Sequence, residues 1–452
     1  MSSFNEDFLD YYYPVDEEIY EENVYDVWDN CIVLSFTSIF SLICKLIGLN
    51  ICFAFITSLG NIPEWLYHLL FGSTGIYLLF TLESIESTFL FIGFVLIFYP
   101  ILLFINAFKG TKILEKSLLV LKVLYICLLI LCEYFLIKSE IWMQIRGLLM
   151  VFSMKLISLL DSKTNLKPPN LLAYFGYIFC GANILFGPWI SYQDYQKLYF
   201  NNTKKSFRWI LGILRALVLS LLFLSLSNCW AMYFISEDSN RWLVAYREAF
   251  SVRTSHYFIS YLAESSMISA GFKGSKIWQD SSKWHYTVVN PWPIEFPSAL
   301  ATVVTNWNIP MHEFLKKYVY KPNLKYGRFY AIFVTFLMSS FLHGFALHVS
   351  VVLVLLGLFS YIQIELREFL LNAFNICLKN YPCKQCQHLH KRDSLVCRFI
   401  LFIFSLLTVL HLVFLGILLD ENTKEIGIYE KWRHLGFISL WIIGLKAAII
   451  KL

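Results

Sequence analysis

Long apolar runs, separated by short polar segments, dominate the pattern of residues along the chain. A helix needs about 20 apolar residues to cross the hydrocarbon core of a bilayer. Runs near or above that length cover 31–58, 65–82, 88–108, 117–137, 142–160, 171–190, 207–235, 255–272, 298–316, 328–371, 397–419 and 435–450. Because the run 328–371 is long enough for two helices, the pattern predicts an all-α polytopic membrane protein with about eleven transmembrane helices, besides re-entrant and interfacial helices.

Composition supports this fold class. Hydrophobic residues make up 58% of the chain and charged residues 15%, and the mean hydropathy is +0.59. Soluble proteins carry about 25% charged residues, which cover the folded surface. The composition therefore excludes a soluble enzyme and a disordered protein. The net charge of +5, from 37 basic and 32 acidic residues, is too nearly balanced to predict nucleic-acid binding.

The uneven placement of charge predicts the orientation of the chain. Residues 1–30 contain ten acidic residues and no lysine or arginine, whereas basic residues concentrate in segments 109–116, 197–208 and 379–398. Because lysine and arginine are enriched in cytosolic loops, we expect these three segments to be cytosolic. We expect the N-terminal tail and loop 420–425 to be lumenal. The predicted domains are this tail (1–30) and a helical core (31–452), which carries a cytosolic Cys/His-rich loop at 372–396.

His343 is the most unusual polar residue in the apolar runs. No charged residue lies between Arg328 and Glu365, so the position of His343 predicts an imidazole inside the hydrocarbon layer. Ionisable residues in membranes are costly and often functional. A buried imidazole is neutral and can accept a proton, although it can equally hydrogen-bond a neighbouring helix. His348 would lie on another face of a continuous helix, and we interpret both His348 and His411 as packing residues.

Asn308 is the second polar outlier. It lies in the segment TNWNIPMHEFL, between Trp307 and Pro310. A side-chain amide can donate a hydrogen bond to a developing oxyanion or orient a nucleophile. The same residues also describe a simple helix start, at which asparagine is a good N-cap. The residues alone leave both interpretations open.

The segments WNIPMHEFL (307–315) and SSFLHGFALH (339–348), with His343 placed 35 positions after Asn308, resemble the Asn and His motifs of the membrane-bound O-acyltransferases. Within that superfamily, the chain resembles the protein-serine O-acyltransferases that lipidate Wnt proteins. Further matching segments are RGLLMVFSMKLISLLD (146–161), FGPWISYQDY (186–195), SNRWLVAYREAFSVRTSHYFISYLAE (239–264), WHYTVVNPWPIEFP (284–297) and CKQCQHLH (383–390). The resemblance extends from about residue 140 to 450.

This resemblance implies a multi-pass protein of the endoplasmic reticulum, with a central catalytic chamber. It implies transfer of palmitoleoyl, a monounsaturated acyl group, from palmitoleoyl-CoA to a serine of a Wnt protein on the lumenal side. His343 would be the base and Asn308 would stabilise the thioester oxygen. The acceptor would attack directly, because the sequence has no G-x-S-x-G elbow that would present an enzyme nucleophile. Beyond CoA and membrane lipids, this reaction needs no catalytic cofactor.

Other residues would bind the two parts of the acyl donor. Apolar side chains near the catalytic residues, namely Trp307, Phe341, Leu342 and Phe345, are candidates for the acyl tunnel, although ordinary packing explains each of them as well. Lysine and arginine bind phosphate. The candidates for the phosphates of CoA are the basic residues between the two motifs, Lys316, Lys317, Lys321, Lys325 and Arg328. A general preference of basic residues for the cytosolic side explains this second set equally well.

The loop NYPCKQCQHLHK presents four residues of the types that bind zinc, Cys383, Cys386, His388 and His390. Cytosolic thiols stay reduced, which permits a structural zinc ion. S-acylation of the two cysteines is the rival hypothesis, and free thiols in a basic loop are another.

Two alternatives to Wnt acylation remain. Another member of the same superfamily would acylate a lipid or a different secreted protein. A proton-coupled transporter could use His343, but it would usually carry several intramembrane carboxylates or discontinuous repeats.

Overall fold

The computed structural model describes residues 24–60, 62–107, 128–160, 168–200, 205–272, 287–344, 346–378, 388–419 and 427–451. Within these ranges the chain is helical, and its β-structure is an isolated bridge between Ile376 and His390. This agrees with the predicted all-α class. Apolar segments in a membrane favour helices because a helix satisfies its backbone hydrogen bonds internally.

Fifteen helices of seven or more residues form the described architecture. They are α1 (Val33–Ser58), α2 (Glu64–Leu82), α3 (Ile85–Ala107), α4 (Ser139–Leu159), α5 (Leu171–Ile178), α6 (Tyr192–Phe200), α7 (Phe207–Ser225), α8 (Arg241–Ser269), α9 (Leu300–Trp307), α10 (Ile309–Leu315), α11 (Arg328–Leu342), α12 (Leu347–Phe374), α13 (Leu395–Gly416), α14 (Ile428–His434) and α15 (Ile438–Lys451). Shorter helical turns cover Val24–Val27, Trp28–Ile32, Cys132–Leu136, Leu226–Trp230, Ala231–Phe234, Trp292–Glu295, Lys316–Tyr320, Lys321–Asn323, Leu324–Tyr326 and Ile417–Leu419.

The described residues contain seven helices that are long and apolar enough to cross a membrane, or eight if α14 and α15, bent by 82°, make one span. The predicted count of about eleven is therefore not confirmed. Part of the run 117–137 lies outside the described residues. The run 171–190 forms only the eight-residue α5 followed by turns, and 298–316 is divided at Asn308. The run 255–272 is the end of α8, which has 29 residues and carries several charges.

The run 328–371 forms two helices, as its length predicted. The chain leaves α11 after Leu342, and α12 begins at Leu347. Gly344 lies in this connection with φ of 81°, a conformation in which an L side chain is strained. The two-helix prediction is confirmed. The argument that placed His348 by counting along one helix from His343 is wrong, because His343 follows the end of α11 and His348 belongs to α12.

The chain divides into two compact units. The first contains Met1–Leu221, Ile259–Thr287 and Leu342–Gly344. The second contains Leu222–Phe258, Val288–Phe341 and Phe345–Leu452. Each unit is built from segments that are distant in sequence, which is typical of a polytopic membrane fold.

In the first unit, small residues bring α2 and α5 close together. A Cβ atom at Gly75 would overlap the carbonyl of Phe179, and one at Gly72 would overlap the ring of Phe175. At Gly176, a Cβ atom would overlap the hydroxyl of Tyr195. Close backbone approach through small residues is the usual way in which membrane helices gain packing energy.

The first unit also contains a buried lysine on α4. The Lys155 Nζ donates to the carbonyl oxygens of Tyr177 and Ile178, at 2.8 and 3.1 Å, and to the Asn183 Oδ1 at 2.8 Å. These oxygens satisfy the three ammonium protons, since lysine offers three donors and no acceptor. Lys155 thereby fastens the end of α5 to α4.

In the second unit, α12, α13 and α15 pack around an apolar core. Phe359, Phe414 and Trp432 are among its buried members. The Trp432 ring stacks on Phe414 with 5.0 Å between ring centroids, and its Nε1 donates to the Phe414 carbonyl at 3.0 Å. This contact holds α14 against the end of α13.

Candidate active site

Asn308 lies at a break between two helices of the second unit. It follows the last residue of α9 and is the N-cap of α10. Its Oδ1 accepts a hydrogen bond from the backbone N–H of Met311 at 3.1 Å. Of the two interpretations of Asn308, the N-cap is confirmed, and the catalytic role stays a prediction. Because the cap uses Oδ1, the Nδ2 amide is the group of this side chain that could donate to a substrate.

A neighbouring extended segment fixes the backbone on both sides of Asn308. The N–H of Ile309 donates to the carbonyl of Val288 at 2.8 Å, and the N–H of Asn290 donates to the carbonyl of Asn306 at 3.0 Å. These two bonds pair the segment 288–290 with the break. Asn308 itself has φ of −142° and ψ of 89°, an extended conformation that ends α9 before α10 begins.

His256 on α8 contacts the same break. The Nε2 of His256 lies 2.8 Å from the carbonyl oxygen of Trp307, so this nitrogen carries a proton and donates it. The imidazole stacks on the indole of Trp307 with 4.4 Å between centroids and 2° between planes. The contact fixes both the carbonyl and the ring of the residue that precedes Asn308. Trp307 is thus held by α8, and it is partly buried.

A buried ion pair anchors the segment that pairs with the break. The Arg253 guanidinium binds the Glu295 carboxylate with two bonds, Nε to Oε1 at 2.9 Å and Nη2 to Oε2 at 3.0 Å. The Tyr257 hydroxyl donates to the same Oε1 at 2.7 Å. A bidentate arginine–carboxylate pair is strong and directional. Together with His256, these residues tie Glu295 and Trp307 to successive turns of α8.

His343 lies in the connection between α11 and α12 and is half-buried. Side chains of the first unit pack against this turn. A Cβ atom at Gly344 would lie 2.6 Å from the Arg146 Cδ and 3.6 Å from the Glu133 Oε2. Only glycine therefore fits at position 344 of this turn. His343 follows the last residue of α11, so it lies at a helix end and not on a helix face. The two candidate catalytic residues belong to different compact units, His343 to the first and Asn308 to the second.

The candidate acyl-tunnel residues differ in their surroundings. Leu342 is buried, whereas Phe341 and Trp307 are partly buried. Phe345 lies outside the described residues. Their role in binding an acyl chain stays a prediction.

The candidate phosphate-binding residues fall into two groups. The Lys316 ammonium pairs with Glu313 at 3.0 Å, and Arg328 pairs with Glu368 at 2.7 Å and with Glu365 at 3.4 Å. The other three, Lys317, Lys321 and Lys325, are exposed. Carboxylates already balance the charge of Lys316 and Arg328, so the three exposed lysines are the better candidates to meet an incoming phosphate. Of these, Lys317 also donates to the Tyr318 hydroxyl at 2.9 Å, and the Lys325 ammonium lies over the Tyr326 ring.

The candidate zinc ligands are only partly described. Cys383 and Cys386 lie outside the described residues, so their hypothesis stays open. The N–H of Cys377 donates to the carbonyl of His390 at 3.0 Å, which closes the base of this loop. Within the described part of the chain, no group of three or more His, Cys, Asp or Glu side chains could hold a metal ion.

His411 is buried in the second unit, where its Nε2 lies 3.0 Å from the Lys446 Nζ and its ring contacts Phe359. This agrees with its interpretation as a packing residue, although sequence reasoning did not foresee the lysine partner.

Comparison with known families identifies the chain. The model of the membrane-bound O-acyltransferase family matches residues 75–374. The chain belongs to this family. The match includes the break at Asn308 with its contacts from α8, and it includes the His343 turn. Membership of the membrane-bound O-acyltransferases, together with the apolar helices, makes the chain a multi-pass membrane acyltransferase.

Individual relatives within the membrane-bound O-acyltransferases include two clear groups. The protein-serine O-palmitoleoyltransferase porcupine of Mus musculus is 33% identical over 356 residues, which cover 71% of this chain and 76% of the relative. The protein of the same name from Anopheles gambiae is 31% identical, covering 68% of each chain. A lysophospholipid acyltransferase of Arabidopsis thaliana is 25% identical over 47% of this chain and 56% of its own length.

Sequence reasoning missed several residues that support the site of this membrane-bound O-acyltransferase. His256, Arg253 and Glu295 lie in segments that carry the family resemblance, but nothing in their spacing links them to Asn308. A charged pair separated by 42 positions gives no sequence signal. The sequence signal that could have indicated them is the polar cluster RTSHYF at 253–258, which contains Arg253 and His256.

Proposed function

We propose that this chain transfers palmitoleoyl from palmitoleoyl-CoA to a serine hydroxyl of a Wnt protein at the endoplasmic reticulum membrane. The observation that carries the proposal is the 33% identity, over 71% of the chain, to a protein-serine O-palmitoleoyltransferase. The similarity to a lysophospholipid acyltransferase covers less of the chain and is weaker. A lysophospholipid is therefore the second candidate acceptor.

In the proposed reaction, His343 removes the proton from the serine hydroxyl as its oxygen attacks the thioester carbon. A tetrahedral intermediate forms, in which the former carbonyl oxygen carries negative charge. When the intermediate collapses, the carbon–sulfur bond breaks and the proton passes from His343 to the CoA sulfur. The products are the serine ester and CoA. General-base catalysis of this kind contributes about 10²–10⁴ in rate.

The proposed role of Asn308 is to donate a hydrogen bond from Nδ2 to the developing oxyanion. Two features of the second unit support it. The N-cap bond to Met311 occupies Oδ1 and fixes the orientation of the amide. The His256–Trp307 contact and the paired segment 288–290 hold the backbone at the break. A preorganised donor stabilises charge without having to reorganise during the reaction.

The acyl chain would lie against Trp307, Phe341, Leu342 and Phe345, and the exposed Lys317, Lys321 and Lys325 would meet the CoA phosphates. A dry chamber would protect the thioester from hydrolysis. Each of these residues can be substituted separately, and the effect on acyl transfer tests its assignment.

The proposed topology places the acidic tail (1–30) and loop 420–425 in the lumen, and the loop at 372–396 in the cytosol. The disulfide-bonded state of Cys31, next to the acidic tail, supports the lumenal side, because disulfides form in oxidising compartments. Protease protection of tags inserted at residues 10, 390 and 423 tests the orientation. A protected tag at 390 would reverse it.

The experiment that tests the proposed function gives the purified protein two acceptors. A Wnt-derived serine peptide and a lysophospholipid are offered together with palmitoleoyl-CoA, and both products are followed by mass spectrometry. We expect the acyl ester to form on the peptide serine and to be absent from a peptide in which alanine replaces that serine. Acylation of the lysophospholipid alone would contradict the protein-acceptor proposal while keeping the family activity.

A further inference from the structure

Three polar side chains of the first unit gather at the turn that carries His343. The stem of Arg146 is nearest, because a Cβ atom at Gly344 would lie 2.6 Å from its Cδ and 2.9 Å from its Cγ. The same point is 3.6 Å from the Glu133 Oε2. Trp142 lies four positions before Arg146 on α4, so the two residues share one face of that helix. We call Glu133, Trp142 and Arg146 the turn cluster.

The hydrogen-bonding groups of the turn cluster are not satisfied by the described part of the protein. The Glu133 Oε2 is buried and has no hydrogen-bond partner there, and the same is true of the Trp142 Nε1. Arg146 and Trp142 are near enough to the carboxylate to act on its charge, but neither donates a hydrogen bond to Oε2. Buried polar atoms are rarely left unsatisfied, and a water or a ligand commonly supplies the missing bonds. An acceptor and a donor are therefore available beside the proposed catalytic base.

The residue types of the turn cluster indicate the chemistry of the missing ligand. A carboxylate oxygen accepts a hydrogen bond, whereas an indole N–H and a guanidinium only donate. A secondary amide offers both complements in one rigid group, namely an N–H for Glu133 and a carbonyl oxygen for Trp142 or Arg146. The phosphate of a lysophospholipid would satisfy the donors, but the carboxylate would repel it. The cluster therefore suits an amide better than an anion.

Both substrates of the proposed reaction contain a secondary amide, in the peptide bonds next to the serine and in the pantetheine arm of CoA. The proposed topology favours the peptide. The helix α12 has 28 residues and ends in the loop that we propose to be cytosolic, so its start, next to the His343 turn, lies towards the lumen. The run 117–137 follows the basic segment 109–116 and ends near Glu133, so it reaches the same side. A Wnt acceptor comes from the lumen, whereas CoA comes from the cytosol.

On the basis of the proposed function, we propose that the turn cluster binds a peptide bond next to the reacting serine of the acceptor. The peptide N–H donates to the Glu133 Oε2, and the peptide carbonyl oxygen accepts from Trp142 or Arg146. These bonds hold the serine hydroxyl beside His343. They also favour a polypeptide over a lipid acceptor, because a lysophospholipid has no peptide N–H for the carboxylate.

The test measures how tightly the purified full-length chain binds an unreactive Wnt-derived peptide, in which alanine replaces the serine. Glu133→Met removes the carboxylate but keeps a side chain of similar length. It should weaken peptide binding about tenfold, which corresponds to about 1.4 kcal/mol. Glu133→Gln, which keeps an acceptor oxygen, should lose less. Without peptide, Glu133→Met should melt no lower than the wild type, because it removes an unpartnered buried oxygen. A lower melting temperature with unchanged peptide affinity would show a structural role instead and overturn the proposal.

A second peptide identifies the group that Glu133 binds. In this peptide, an ester oxygen replaces the N–H of one of the two peptide bonds that flank the alanine. For one of the two positions, the replacement should weaken binding to the wild type about tenfold and have no further effect in Glu133→Met. Glu140→Met is the matched control, because Glu140 is exposed in the first turn of α4. This control should bind both peptides as the wild type does.

The pantetheine amide is tested with the thioether analogue of palmitoleoyl-CoA, which cannot transfer its acyl group. Weaker binding of this analogue to Glu133→Met, with unchanged binding of the peptide, would assign the turn cluster to the donor and overturn its assignment to the acceptor. The proposal is also overturned if Glu133→Met and Glu140→Met bind both ligands equally well. Because binding needs no turnover, this failure is distinct from failure of the proposed function, in which the wild type acylates the lysophospholipid alone.

Discussion

Replacing Asn308 by aspartate separates its two roles. Aspartate keeps an acceptor where Oδ1 takes the bond from the Met311 N–H at 3.1 Å, but it has no Nδ2 protons to donate. The cap should therefore survive, and the free energy of unfolding should change by less than about 0.5 kcal/mol, because aspartate and asparagine are similar N-caps. Loss of an oxyanion donor should lower turnover about 10²–10³-fold.

The alanine variant removes both roles at once. Asn308→Ala loses the cap as well as the donor, so it should cost about 1 kcal/mol in stability besides the loss of turnover. That cost alone cannot explain a hundredfold effect on folded enzyme, which requires about 2.7 kcal/mol at the transition state. We expect Asn308→Ala to lose less activity than a variant that lacks His343.

A second asparagine cap in the chain provides the control. Asn170 caps α5 by accepting from the Ala173 N–H at 2.8 Å, in the same way as Asn308 caps α10. Asn170→Ala should therefore cost a similar stability and leave turnover per folded molecule unchanged. The assay combines thermal melting with the rate of peptide acylation. Near-normal turnover in Asn308→Asp would refute the donor role and leave Asn308 as a helix cap.

Three further predictions can be tested, two from the structure and one from the sequence. Gly344→Ala should lower both stability and turnover, because a side chain at φ of 81° is strained and would meet Arg146; a melt unchanged from the wild type would contradict this. Glu295→Ala should lower the free energy of unfolding by about 3 kcal/mol, because it leaves the buried Arg253 without its carboxylate. Adding Arg253→Met to this variant should recover part of the loss, as measured by thermal melting. If the Cys/His-rich loop (372–396) binds structural zinc, the purified chain should carry about one zinc ion, and the Cys383→Ser, Cys386→Ser double variant should lack it. The double variant should be less stable than the wild type but should keep some turnover. Elemental analysis that finds no metal, or acyl chains found on these cysteines, would reject zinc.

The apolar pattern was enough to predict the fold class, because a bilayer imposes helices on apolar segments of spanning length. It could not predict where helices break. The run 298–316 looks continuous, but Asn308 prefers to cap α10, and the backbone at 306–309 pairs with 288–290 instead of continuing the helix. Similarly, α8 contains charged residues that an apolar-run criterion excludes, although it is among the longest helices of the chain.

The candidate catalytic residues were visible in the sequence because polar groups in apolar runs are rare. Their supports were not. His256 reaches Trp307 across 51 positions, and Lys446 reaches His411 across 35. Contacts of this range depend on how helices pack, which local spacing does not encode. The pairing of Lys316 with Glu313, three positions away, could have been suggested from sequence, whereas the pairing of Arg328 with Glu365 and Glu368 depends on how helices pack.

The most direct test of the proposed mechanism is the acylation rate of His343→Ala. The purified variant and the wild type are incubated with palmitoleoyl-CoA and the Wnt-derived serine peptide, and the ester is quantified by mass spectrometry at equal amounts of folded protein. His348→Ala, also half-buried and near the start of α12, is the matched control. The mechanism predicts a loss of about 10²–10⁴-fold in His343→Ala and near-normal transfer in His348→Ala. Near-normal transfer in a folded His343→Ala variant would contradict it.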